Sequence, residues 1–264
     1  MAAVSPWLQN RAMPLLRGNY STRRTASGPI VSRASAIGSD ARLSWLLAGV
    51  AGMVGAVAFL HSAGYFVTFM TGNTERAIVS WFDVSNTAQV TGAGALAAIA
   101  LIISFVVGVW TASYCRRRFW ANHPHGPTVL TTAGLLIAAA VDFAFHGFQD
   151  SDVRFVPILI ITFAIGALNT SFVKNDEVSV PLSYVTGTLV KFGQGVERHA
   201  TGNGTIFDWL GYALVYAGFL TGAAIGGALS SILSGPQVIL AAGLLCGATA
   251  VVTFVHSDHK AILG

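Results

Sequence analysis

Six stretches of the chain are apolar over most of their length: residues 43 to 62, 88 to 114, 127 to 147, 155 to 173, 208 to 233 and 236 to 256. Crossing a bilayer's hydrocarbon takes about 20 apolar residues in a helix, so each stretch predicts a membrane span. Two further segments are apolar only in part, residues 64 to 82 and 181 to 199. Each carries a polar turn at its middle, Thr71-Gly72-Asn73-Thr74 in the first and Thr186-Gly187-Thr188 in the second. Charges follow closely, Glu75 and Arg76 in one, Lys191, Glu197 and Arg198 in the other. These two predict re-entrant half helices, which dip into the membrane and return to the side they left.

The pattern occurs twice. Gly52-x-x-Gly55-Ala56 precedes Thr71-Gly72 as Gly166-x-x-Asn169-Thr170 precedes Thr186-Gly187, displaced by 114 positions (52 to 166) and 115 positions (71 to 186). One copy is a span, a Thr-Gly segment and two more spans, giving repeat one over residues 43–147 and repeat two over 155–256. Three crossings per copy make the second enter from the opposite face. Transporters built as such inverted repeats bind cargo near the midplane, at the ends of broken helices. The expected fold is all-α: a polytopic transmembrane helix bundle of six full spans plus two Thr-Gly re-entrant half helices, with residues 41–264 as the transmembrane domain.

Charge selects between topologies. With the amino terminus and both re-entrant segments so placed, Arg116, Arg117, Arg118, Lys174, Lys191, Arg198 and Lys260 join the six basic residues before position 43 on the inside, leaving Arg76 and Arg154 outside. That distribution satisfies the positive-inside rule, whereas full crossing by both segments would move Arg116 to Arg118 outside. Hydrophobic residues make up 53% of the chain, charged residues 10%, and mean hydropathy is +0.64, which excludes an ordinary soluble domain. Residues 1–40 hold Arg11, Arg17, Arg23, Arg24 and Arg33 before the first acidic residue, Asp40. They read as a disordered basic arm, either an organellar transit peptide or a tail on anionic lipid headgroups. The corresponding locations are an organellar membrane or the plasma (inner) membrane. The pI of about 9.3 follows from this tail and the positive-inside bias and calls for no nucleic acid. Cys115 and Cys246 provide no disulfide framework or metal site.

The residues Gly52-Met-Val-Gly55-Ala56, Tyr65-Phe66-Val67, Met70-Thr71-Gly72-Asn73-Thr74, Gly166-Ala-Leu-Asn169 and Tyr184-Val185-Thr186-Gly187-Thr188-Leu189 resemble the YoaK-like family of integral membrane proteins. The resemblance runs from about residue 43 to the carboxyl end. It implies a multi-helix membrane protein and no known activity. The family commonly has an aspartate where this chain has Gly55, and apolar residues at the positions of Glu75 and Arg76.

A helix that starts inside the membrane exposes unpaired N–H groups and the positive end of its dipole. Thr71, Gly72, Asn73, Thr74, Asn169, Thr186, Gly187 and Thr188 are therefore the candidate solute-binding residues, with capping of their own helices the structural alternative. Glu75, Asp142, His146 and Lys191 are candidates for ion or proton coupling, since ionisable residues at membrane depth are costly. Arg76 aligns with Lys191 across the repeats, and both can snorkel to the surface. His61 stands at the outer end of the first span. Gly218, Gly222 and Gly226, spaced by four, form a ridge for close helix approach, serving either the fold or a homodimer.

No His-Glu-x-x-His, Gly-x-Ser-x-Gly, phosphate-loop or dinucleotide motif occurs, and no catalytic residue, metal or cofactor is expected. The functional expectation is a secondary transporter or channel for a small polar or anionic solute in the lipid bilayer. The alternatives are a non-transporting membrane scaffold or assembly protein, and an intramembrane hydrolase using Asp142 and His146.

Overall fold

A computed structural model of the chain describes residues 39–82, 92–120, 125–146, 152–174, 177–178 and 182–263. The basic arm expected over residues 1–40 lies outside these but for its last two positions. Eight helices occur among the described residues: α1 (Ser39–Leu60), α2 (Met70–Val79), α3 (Gly92–Arg118), α4 (Gly126–His146), α5 (Phe155–Leu168), α6 (Val185–Ala200), α7 (Phe207–Leu229) and α8 (Gly235–Leu263). Apolar runs of this length become helices because a helix satisfies its own N–H and C=O groups where lipid offers no partner. By length and composition α1, α3, α4, α7 and α8 can each cross a membrane.

The fourth expected span is shorter than its apolar stretch. Helix α5 has 14 residues, about 21 Å at 1.5 Å per residue, and stops at Leu168 although apolar character continues to residue 173. The cause is three consecutive polar side chains that turn back onto the helix's last carbonyls. Asn169 Nδ2 donates to Ile165 O (2.8 Å), Thr170 Oγ1 to Ala167 O (2.8 Å) and Ser171 Oγ to Leu168 O (2.7 Å). Side-chain donors of this kind compete with the backbone ladder and favour its termination. Beyond them Val173–Lys174 (β1) and Glu177–Val178 (β2) form a two-residue antiparallel ladder that hydrophobic periodicity did not announce.

Two parallel helix pairs form the centre. On α7, Gly218, Gly222 and Gly226 face the carbonyl oxygens of Trp45, Gly49 and Met53 on α1, and Gly52 faces Phe219 O in return. A Cβ at any of the four would collide with the opposing backbone, so these glycines set the separation of α1 and α7. The ridge thus packs against α1. Helices α3 and α5 meet in the same way: Ser104 Oγ donates to Leu159 O (2.7 Å), Gly108 faces Phe163 O, and Gly166 faces Phe105 O.

The two pairs correspond at a displacement of 114 positions: Trp45 with Leu159, Gly218 with Ser104, Gly49 with Phe163, Gly222 with Gly108, Gly52 with Gly166, and Phe219 with Phe105. Helices α4 and α8 run antiparallel, Leu136 against Gly243 and Thr132 against Gly247. Leu47, Val50 and Val54 of α1 with Leu135, Ile161, Ile165 and Ile239 fill the core between these elements.

At one end α1, α4, α5 and α8 converge. Val153 N donates to His61 O (2.6 Å), Arg154 N to Asp142 Oδ1 (3.2 Å), and Gly235 lies against Val153 and His61.

Candidate functional site

Helix α1 ends at Leu60, and the chain reverses through Gly64, whose φ of +68° favours glycine. It then runs back beside α1, with Phe66 stacked on Phe59 (5.2 Å) and Thr68 seated against Gly55. At that depth α2 begins, and Phe69 meets Phe219 edge-on at 6.0 Å beside the α1–α7 crossing. Helix α2 turns back the way the chain came: Asn73 Nδ2 donates to Phe66 O (2.5 Å), and the Arg76 guanidinium lies 5.5 Å from the Phe66 ring and 5.9 Å from Tyr65. At 10 residues, about 15 Å, it is half the length that hydrocarbon requires.

The second segment is built alike. Ser183 is held at the end of α5 by the Asn169 carboxamide, which accepts from Ser183 N (2.9 Å) and donates to Ser183 Oγ (2.9 Å). Helix α6 then runs antiparallel to α7, with Lys191 Nζ 5.5 Å from the Tyr212 ring and Phe192 edge-on to Trp209 at 5.7 Å. Near its end Trp209 Nε1 donates to His199 Nδ1 (3.1 Å), and Gly202, at φ +74°, makes the turn into α7.

Neither half helix is capped by a side chain at its start. The N-cap positions are Phe69 (φ −108°, ψ 80°) and Tyr184 (φ −85°, ψ 66°), neither with a capping hydrogen bond. Thr74 Oγ1 donates to Met70 O (2.9 Å) and Thr188 Oγ1 to Tyr184 O (3.0 Å), so both serve carbonyls rather than the free N–H groups. The capping alternative for Asn73 and Thr188 is therefore not the arrangement seen. Gly72 and Gly187 lie under the rings of Phe66 and Tyr184, while Thr71 and Thr186 are exposed. Both starts lack a side-chain cap and stand beside an exposed threonine, though at the second Val185 N donates to Ser183 O (3.0 Å).

Helix α2 packs along α3 and α6 along α7, and no hydrogen bond or ring contact joins the two motifs among the described residues. Asn169 lies beside the second motif as its position suggests. Glu75 is exposed, and Arg76 and Lys191 lie beside aromatic rings. Asp142 is 1% exposed and its carboxylate accepts from Arg154 N; His146 is the last residue of α4, with its side chain outside the described residues.

Sequence reasoning passed over Thr68 and Ser183, which precede the two N-cap residues at the same displacement of 115 that relates Thr71 to Thr186. Their environments differ. Where repeat two has the Asn169–Ser183 clasp, repeat one has Gly55, and the buried Thr68 Oγ1 makes no hydrogen bond; nor does the buried Asn73 Oδ1 nearby in the sequence. Among the described residues no group of three or more His, Cys, Asp or Glu could hold a metal ion.

A family profile described as "Protein of unknown function (DUF1275)" matches residues 43–252. A protein of Rhizobium meliloti (strain 1021), "UPF0700 transmembrane protein RA0705", is 32% identical over 180 residues, which cover 68% of this chain and 71% of that one. No solved structure matches.

Proposed function

Because the chain belongs to the DUF1275 family and is a multi-pass integral membrane protein, we propose that it is an inverted-repeat secondary transporter or channel for a small polar or anionic solute, of the YoaK-like kind its motifs resemble. The observation that carries this reading is the direction of the helices. Spans joined in sequence alternate in direction. If α2 and α6 both crossed, α4 and α8 would be parallel; the antiparallel pairing of Leu136 with Gly243 and Thr132 with Gly247 favours an α6 that does not cross. With α6 re-entrant, a crossing α2 would make α1 and α7 antiparallel, yet Trp45, Gly49 and Met53 follow Gly218, Gly222 and Gly226 in the same order. Six alternating spans with two half helices agree with every pairing. The shared register of 114 positions in the α1–α7 and α5–α3 crossings supports repeats of one design.

In this reading the uncapped starts of α2 and α6 bind the solute, and Thr71 and Thr186 supply hydroxyls. The Thr71→Val and Thr186→Val chains are expected to express and fold normally and to lose uptake in a solute screen on proteoliposomes; unchanged uptake overturns the site. The topology has its own test. Single cysteines at Glu75 and Lys191, in a chain without Cys115 and Cys246, are expected to react with an impermeant reagent from opposite faces. A second reading, a non-transporting scaffold, is favoured by the separation of the two motifs onto different helices, and predicts opposite-face labelling without uptake of any solute.

A further inference from the structure

The end of α3 carries a surface that neither repeat symmetry nor internal contacts explain. Trp110 and Tyr114, one helical turn apart, stack at 5.5 Å with planes 11° apart, and Tyr114 meets Phe119 edge-on at 6.4 Å. All three rings are exposed, Trp110 at 62%, Tyr114 at 46% and Phe119 at 64%. Above them stand three arginines with different attachments. The Arg116 guanidinium turns inward and donates to Thr170 O, tying α3 to the end of α5. Arg117 and Arg118 are exposed, and Arg118 lies 5.9 Å from the Phe119 ring. Neither makes an ion pair among the described residues.

The fold does not need this surface. The α3 and α7 crossing residues match at 114 positions, but the ladder does not recur: Trp110, Tyr114, Arg117, Arg118 and Phe119 correspond to Ala224, Ala228, Ser231, Ile232 and Leu233. The other end of the pseudo-symmetric bundle holds its crossing with small and aliphatic residues at those positions. An exposed, stacked aromatic strip ending in two cations without an ion pair among the described residues therefore occurs on one side only.

Its dimensions and chemistry match one component of the surroundings. From Trp110 to Arg118 α3 rises about 12 Å, the upper part of one leaflet. Arginines at the headgroup level attract phosphate, and flat rings below them give an acyl chain a smooth wall. We propose that Arg117 and Arg118 with Trp110, Tyr114 and Phe119 form a binding site for an anionic phospholipid of the bilayer, phosphodiester on the guanidinium groups and one acyl chain along the rings. Arg116 is not part of it, because its guanidinium is engaged with α5.

The test uses the full chain in phosphatidylcholine bilayers containing a minority of phosphatidylglycerol, with brominated chains on one lipid or the other. Quenching by brominated lipid is read for the contribution of Trp110, taken as the difference from a W110F chain. An arginine near an anionic surface is worth about a fivefold preference, so two predict that phosphatidylglycerol is favoured over phosphatidylcholine by roughly ten- to thirty-fold. R117Q/R118Q is expected to bring the ratio near one, and strong salt to reduce it in the unaltered chain. Quenching of Trp110 by each lipid in simple proportion to its mole fraction in the unaltered chain overturns the proposal without any variant. So does a preference that survives in a folded R117Q/R118Q chain, which would place the anionic lipid elsewhere.

Discussion

Replacing Gly222 by alanine adds one methyl group at the tightest point of the α1–α7 crossing. The Cβ would fall inside the contact distance of Gly49 O, with the Gly49 Cα 2.7 Å away, and neither is the tip of a flexible side chain. The two helices must separate by well over 1 Å to restore ordinary contact at about 3.3 Å. A close helix crossing contains on the order of fifty heavy-atom contacts at about 0.1–0.2 kcal/mol each, and a gap of this size forfeits about half of each. The expected loss is about 2–5 kcal/mol, and in lipid no hydrophobic term offsets it, since van der Waals contact is itself the main attraction between helices. Gly211 and Gly227 on the same helix have nothing within 4 Å of a built Cβ, so alanine there should leave stability unchanged or raise it by up to about 1 kcal/mol. Reversible unfolding in mixed micelles measures all three. The same displacement of 114 positions makes Gly108→Ala a second instance, since its Cβ would meet Phe163 O on α5. If Gly222→Ala and Gly108→Ala unfold within about 0.5 kcal/mol of Gly227→Ala, the crossings are not as described.

Asn169→Ala removes the acceptor of the buried Ser183 N–H and is expected to destabilise by about 1–3 kcal/mol, with faster amide exchange at Ser183 as its local signature. Thr68→Val should do the opposite, because the Thr68 hydroxyl is buried without a partner; a gain of up to about 1 kcal/mol in the same unfolding assay is expected, and a loss would mean the hydroxyl is bonded. Asp142→Ala leaves the Arg154 N–H without its carboxylate acceptor and should loosen the junction of α4 with the start of α5, read as faster exchange at Val153 and Arg154.

Much of the fold was readable because lipid imposes a length and a composition on any spanning segment. The six apolar runs returned as helices, and so did the two Thr-Gly segments, as helices of 10 and 16 residues. The boundary of α5 was not readable from hydropathy: Phe172 and Val173 extend the apolar run, and only the three polar side chains before them, each turning onto a carbonyl, end the helix. The four-residue spacing of Gly218, Gly222 and Gly226 announced that another backbone comes close but could not say whose. Spacing fixes one helix face, and the partner, α1, is recognisable only once its own Gly49 and Gly52 are placed opposite. In the candidate site the Thr-Gly motifs lie in the first turns of α2 and α6. The cap positions fell to Phe69 and Tyr184, against the propensities that favour Ser, Thr, Asp and Asn there. At Phe69 propensity lost to a ring contact with Phe219 outside any local window, whereas Tyr184 packs over Gly187, three residues on in its own helix.

The two stretches related by the displacement of 114 positions correspond most closely at their crossings and differ most where α2 and α6 begin, and for the proposed function that division matters. At the crossings glycine meets a carbonyl oxygen in both helix pairs, in the same register. The starts of α2 and α6 are held by different means. Ser183 is fixed to α5 by two hydrogen bonds through Asn169, while Thr68 rests against Gly55 by contact alone. Each net hydrogen bond is worth about 1 kcal/mol, so detaching the second segment costs roughly 2 kcal/mol that the first does not have to meet. For a transporter of the proposed kind, the first segment is then the more mobile gate, and the bundle is biased toward the conformation that keeps α6 docked. Amide exchange separates this from a symmetric device: protection at the start of α2 should be lower than at the start of α6, and removing the Asn169 clasp should bring the two together. Equal protection in the unaltered chain would mean that van der Waals contact at Gly55 holds as well as the clasp does, and the bias would have to be sought elsewhere.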